Sequence, residues 1–257
     1  MLLDVLNNVL TEEGVALGRK LFYDPRLSGR DGTDGIRSCS SCHHQEKSFE
    51  YGTPTGTHHA MLPLINLAWN RIGLGWNGGV ATLEDMVLAA VTSPVEINAD
   101  TNHVVKYLQK TDDYPELFER AFGSRKITFV NVERAIAQFV RSLVSADSKF
   151  DRYLRGEEEL TEDEMAGYEL FCTEEGADCF HCHGGGGLAL MTTNLFTTTA
   201  WTTNSTTPKT ALPLREAIGT KVPTKPLPYE TSPYRHLTCT TDASPPWTRS
   251  STSTAKA

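Results

Sequence analysis

Two pentapeptides constrain this chain more than any other feature: Cys39-Ser40-Ser41-Cys42-His43 and Cys179-Phe180-His181-Cys182-His183. Two cysteines separated by two residues and followed at once by histidine form the attachment signal for c-type haem. The spacing follows from the chemistry. Each thiol adds to one haem vinyl group, and the adjacent histidine becomes the proximal iron ligand. One copy alone also suits a redox dithiol or half a zinc site. Two complete copies point to two covalently bound haem c groups, attached at Cys39, Cys42, Cys179 and Cys182, with His43 and His183 as iron ligands. His181, inside the second motif, reads as a spacer.

At 257 residues the chain suits two domains of ordinary size, and one motif falls in each half. The expected division is an N-terminal cytochrome c-like domain over 1–155 and a C-terminal one over 156–257, incomplete after about 190. A net charge of −8 argues against nucleic acid and suits a basic electron-transfer partner. Cys172 and Cys239 stand outside the motifs, and nothing in the sequence supports a disulfide between them. No run of 18 apolar residues exists, so no membrane span is expected. The start, Met1-Leu2-Leu3-Asp4-Val5, lacks the basic and apolar regions of a signal peptide, although c-type haem is normally attached outside the cytoplasm. A removed leader or an internal start reconciles the two.

The helical signals are frequent and no credible strand precedes residue 190, so the class is all-α. Thr11-Glu12-Glu13 opens a helix that stops at Asp24-Pro25. Thr82, with Asp85 three residues on, caps another through Val91, and Ser93-Pro94 ends it and delivers Glu96 in a loop. A short helix spans Asn102–Lys110, and Pro115 and Gly123 bracket the next. Phe129, Val132, Ile136, Phe139, Val140, Leu143 and Val144 share one face of a helix starting near Thr128. Arg152-Tyr153-Leu154-Arg155-Gly156 reads as the inter-domain joint, and Thr161 with Glu164 caps a helix running into the second motif.

Several stretches together resemble the bacterial dihaem cytochrome c peroxidase family, which includes the methylamine-utilisation dihaem enzymes. They are Leu17-Gly18-Arg19-Lys20-Leu21-Phe22-Tyr23-Asp24, Leu27-Ser28, the first haem motif, Trp76-Asn77-Gly78, Thr82-Leu83-Glu84, Pro94-Val95-Glu96, Asp151-Arg152-Tyr153-Leu154-Arg155-Gly156 and Gly167-Tyr168-Glu169-Leu170-Phe171. They occur in order over roughly residues 11–190. The resemblance implies a peroxidatic haem on His43 and an electron-transfer haem on His183. It implies that Glu96, in the Pro-x-Glu motif, is the distal acid–base group and that Trp76 lies between the haems and relays electrons. The family's Trp-Asp-Gly-Arg is Trp-Asn-Gly-Gly here.

His59 lies 16 residues after His43, where some members of the family place a removable sixth ligand. Counting back from Pro63 and Asn66 instead puts His58-His59 in a backbone-anchoring position. The family's inter-haem calcium uses an asparagine near here that this sequence does not clearly supply. The implied activity is periplasmic reduction of hydrogen peroxide with electrons from a small cytochrome c or cupredoxin, and the implied assembly is a homodimer. Three alternatives are a dihaem enzyme oxidising a protein side chain, an electron-transfer cytochrome without peroxidase activity, and a chain left inactive because its tail lacks what the family needs. The second would need no distal acid.

From about residue 191 the composition breaks: residues 192–257 hold 19 threonines and 8 of the 13 prolines. Read literally, this tail is mostly irregular. It reads as translated out of frame. Phe196 to Thr202 must be encoded TTY-ACN-ACN-ACN-GCN-TGG-ACN. One nucleotide earlier, these codons can spell Phe-His-Asn-Asn-Gly-Leu-Asp, as in the family after its second haem motif. Leu227 to Ser232 can likewise spell Pro-Thr-Leu-Arg-Asn-Ile, and Thr238 to Trp247 Tyr-Met-His-Asp-Gly-Arg-Phe-Ala-Thr-Leu. The frame as written supplies no methionine after Met191, the family's usual sixth ligand to the second haem. Resequencing is expected to find an inserted or deleted base near codon 190, and an uninterrupted frame there would refute the reading.

Overall fold

Helix α1 (Glu12–Tyr23) starts where the Thr11 side chain accepts a hydrogen bond from the Gly14 amide, with Glu12 and Glu13 in its first turn. Oxygen at the cap and acidic groups beside it satisfy and complement the free amides there. It ends at Asp24, whose carboxylate caps the 3-10 turn Pro25–Leu27 by accepting from the Arg26 amide. The structure is a computed structural model, and it describes residues 7–30, 35–50, 61–70, 73–174 and 176–184. His58, His59, Cys239 and the tail expected to be irregular lie outside the described residues.

The chain divides into two units, Met1–Ala146 and Asp147–Ala257. After α1 the first unit holds α2 (Leu83–Thr92), α3 (Thr101–Lys110), α4 (Tyr114–Phe122) and α5 (Phe129–Ser142). Thr82, Asp100 and Thr128 cap α2, α3 and α5 through their side chains, and Gly123 closes α4 at φ 73°. The second unit contains α6 (Lys149–Leu154), α7 (Glu162–Cys172) and the short α8 (Phe180–His183). Among the described residues no strand forms, so the protein is all-α.

Three local readings change. Arg152-Tyr153-Leu154, expected in a joint, lies in α6, because Ser148 and Asp151 build a reciprocal capping box around its start. The helix capped by Thr161 stops at Cys172 instead of running into the second haem motif. Val144 is exposed because α5 ends at Ser142, which takes that residue off the apolar stripe.

The core of the first unit is built on α1 and α5. Leu17, Leu21 and Phe22 meet Val132, Ala135, Ile136, Phe139 and Val140, and Leu83, Val87, Val104, Leu108, Tyr114 and Phe118 fill in from α2, α3 and α4. Gly14 and Gly18 make the close approach possible. A Cβ on Gly18 would lie 1.9 Å from the Ala135 carbonyl oxygen, and one on Gly14 would meet the Gln138 amide. Polar groups sealed beneath this contact are paired. Gln138 donates to Asn8 at 2.9 Å, and Arg141 donates to both Glu84 oxygens at 2.6 and 2.8 Å. Asp24, also buried, receives Arg26 and the Tyr114 hydroxyl. Burial pushes the Asp24 carboxyl up, but these hydrogen bonds outweigh it and hold it below its ordinary value.

Gly18→Ala is expected to destabilise the first unit by about 1–3 kcal/mol, because backbone must shift to admit the methyl group. Gly167→Ala is the control: it sits in α7 with open space around its ideal Cβ, so better helix propensity should leave stability equal or slightly higher. Urea denaturation of both variants checks this.

Candidate haem-attachment and acid–base site

The first haem motif opens with the 3-10 turn Cys39–Ser41, whose start is tied by Ser38 and Ser41 bonding each other's backbone. The turn sets both thiols and the histidine in order, with the His43 amide donating to the Cys39 carbonyl at 3.0 Å. Cys39 and Cys42 are free thiols, half-buried by surface exposure. Burial pushes the Cys39 thiol up to about 12 and raises Cys42 as well. Among the described residues no group of three or more His, Cys, Asp and Glu side chains is placed to hold a metal ion.

The His43 ring is oriented from behind. Its Nδ1 lies 2.7 Å from the Phe49 carbonyl oxygen, a bond in which Nδ1–H donates and Nε2 is left to face a metal. Burial lowers the His43 pKa below its ordinary value, which favours the neutral imidazole an iron ligand requires. Ser48 and Phe49 deliver that carbonyl by adopting left-handed backbone, at φ 56° and 59°. The Phe49 side chain is buried against Phe22 and Phe139, with ring centroids 6.0 and 6.2 Å apart, and Phe22 lies 6.4 Å from His43. The residues present therefore suit covalent haem.

The second motif repeats this on a smaller scale. Cys179 starts α8, the His183 amide donates to the Cys179 carbonyl at 2.9 Å, and Phe171 of α7 lies 6.5 Å from His183. Gly18-x-x-Leu21-Phe22 and Gly167-x-x-Leu170-Phe171 are thus equivalent, each placing phenylalanine against the motif histidine. Burial differs: Leu21 is 1% exposed and Leu170 56%.

Glu96 sits on the 93–99 loop, folded back on the end of α2. The Glu96 and Asn98 amides donate to the Ser93 carbonyl, and the Ala99 amide donates to the Val91 carbonyl at 2.8 Å. Burial raises the Glu96 carboxyl above its ordinary value, against a hydrogen bond with Ser93 and the charge of Arg37. Arg37, two residues before Cys39, donates to the Val95 carbonyl at 2.5 Å, which ties the loop carrying Glu96 to the segment leading into the first haem motif. Trp76 stands on a tight turn closed by the Leu74–Val80 bridge and is 57% exposed. Asn77, replacing the family aspartate, accepts from the Gly79 amide at 3.0 Å. His59 lies outside the described residues. The sequence reading missed Arg30 and Arg37 on the Glu96 loop and the Phe49 carbonyl behind His43, because backbone contacts leave no periodic or compositional mark.

The sequence matches the family described as di-haem cytochrome c peroxidase over residues 12–159. The chain belongs to that family. In keeping with the family's two haems, it carries the attachment motifs of two covalently bound haem c groups. It is 37% identical over 185 residues to the methylamine utilization protein MauG of Methylorubrum extorquens, covering 68% of this chain and 50% of that protein. It is 32% identical to the cytochrome c551 peroxidase of Nitrosomonas europaea, covering 66% and 51%. The crystal structure of a MauG-like protein associated with microbial copper homeostasis superposes with a TM-score of 0.64 at 36% identity, covering 73% of this chain and 56% of that one. The chain therefore spans about half the length of these relatives.

Phe49→Ala is expected to cost about 3–5 kcal/mol of stability in the first unit. Denaturation followed by far-ultraviolet circular dichroism checks it, and a loss below about 1 kcal/mol would show that Phe49 is not part of the core.

Proposed function

We propose that this chain is a periplasmic dihaem peroxidase that reduces hydrogen peroxide to water with electrons from a small cytochrome c or cupredoxin. The observation that carries the reading is Glu96: a half-buried carboxyl, raised in pKa by burial, on a loop that Arg37, two residues before Cys39, holds through the Val95 carbonyl. Held by Cys39, Cys42 and His43, the haem would supply an iron centre able to bind peroxide. Glu96 takes the proton from the near peroxide oxygen and returns it to the departing one. With two electrons and two protons taken up, one peroxide yields two waters. His43 would hold the iron through Nε2, because its Nδ1 is fixed by the Phe49 carbonyl. His183 holds the electron-receiving haem, and Trp76 serves as a relay. The sixth-ligand role of His59 and a homodimer remain part of this proposal as features of the family.

A second reading, oxidation of a protein side chain, is favoured by one finding: the MauG protein is the more identical of the two relatives, 37% against 32%. Peroxide-dependent oxidation of a reduced small cytochrome supports the first reading. Its absence, together with peroxide-dependent oxidation of a protein substrate, supports the second. Among the described residues no helix is long and apolar enough to cross a membrane.

Glu96→Gln is expected to retain haem and fold while lowering peroxide turnover by about 10²–10⁴-fold. In the parent protein kcat/KM for peroxide should fall as pH drops through the Glu96 pKa, because the base must be ionised to accept a proton. Burial places that limb above the ordinary glutamate value of 4.5. Near-parental turnover in Glu96→Gln would remove Glu96 from the mechanism.

A further inference from the structure

Two arginines grip the backbone that carries Glu96. Arg30 Nε donates to the Glu96 carbonyl at 2.7 Å, and its Nη2 donates to the Pro94 carbonyl. Arg37 Nη1 donates to the Val95 carbonyl at 2.5 Å. The Gly29 amide adds a bond to the Ile97 carbonyl at 3.2 Å, so four successive carbonyls are held from one side. The approach is close: a Cβ on Gly29 would lie 1.9 Å from the Asn98 carbonyl oxygen.

The placement of these donors has a purpose that loop stability alone does not require. Arg37 precedes Cys39 by two residues, so the strand of backbone that grips the Glu96 loop continues directly into the haem-attachment turn. Arginine suits this task because its planar guanidinium presents several donors in fixed geometry, as Arg30 shows by spanning two carbonyls. We propose that Arg30 and Arg37 are positioning residues for the peroxidase reaction: they register the Glu96 carboxyl against the haem attached at Cys39 and Cys42. Neither touches the peroxide. The proposal rests on the reading of Glu96 as the acid–base group. Geometry of this kind matters because displacing a reacting group by about 1 Å can cost on the order of 10²-fold in rate.

The test uses the full chain, exported and loaded with haem, with peroxide turnover measured against a small-molecule reductant. Arg37→Gln and Arg30→Gln are each expected to lower kcat for peroxide by about 10–10²-fold with haem content unchanged. Arg37→Lys should restore part of the loss, since one donor is kept. In a Glu96→Gln background the same arginine substitutions should change turnover by no more than about 2-fold, because the group they position is already gone. Hydrogen exchange of a peptide spanning residues 93–99 should accelerate in both arginine variants. Equal losses in the two backgrounds would overturn the positioning role, and unchanged exchange in the loop would overturn the grip itself. Parental turnover in Glu96→Gln alone would instead defeat the acid–base reading, an outcome distinct from unchanged exchange. If Arg37→Gln fails to take up haem, Arg30→Gln and Arg37→Lys decide the matter by the same two measurements.

Discussion

The absence of a side chain at Gly18 lets α1 lie directly against the Ala135 carbonyl of α5, and the first unit is arranged around that contact. Because the helix axes approach so closely, Phe22 from one and Phe139 from the other meet at a ring separation of 5.2 Å. Phe49 closes on both rings, and its carbonyl then falls behind His43. Moving either helix outward would open the aromatic cluster and release the histidine. Packing of helices and orientation of a metal ligand are therefore one problem in this unit, solved by the smallest residue in the sequence.

Most of the helical framework was legible because it rests on short-range physics. Thr82 and Thr161 act as the expected caps, Thr11 and Thr128 stand at the expected helix starts, and the periodic apolar residues of α5 become its buried face. The haem motifs were legible for another reason: their chemistry fixes residue type and spacing together. The long-range groups were harder. Gly14 and Gly18 matter through residues more than a hundred positions away, and a small residue in a helix does not announce its neighbour. Arg30 and Arg37 bond carbonyl oxygens, which every residue possesses, so no pairing pattern could reveal them. The end of α5 at Ser142 likewise depends on local backbone, and the apolar period ran on to Val144 without a stop signal.

The two units carry the same glycine–leucine–phenylalanine signature in very different surroundings. In the first, Leu21 is sealed between helices. In the second, Leu170 is exposed and a Cβ on Gly167 would meet open space. A motif can thus place a ring beside a histidine through its own helix alone, while burial of the same motif depends on a second helix packed across it.

Ser48 and Phe49 carry a thermodynamic conflict. Successive non-glycine residues in left-handed backbone cost about 1–3 kcal/mol each, and Phe49 is a bulky residue for that region. Glycine would relax the conformation, yet it would surrender the apolar contacts that keep the turn seated. The two effects oppose one another at a single position, so relief of strain cannot be gained there without loosening the histidine. The turn behaves as a loaded spring held shut by the core, and the unit gives up some stability to keep the Phe49 carbonyl behind the His43 ring.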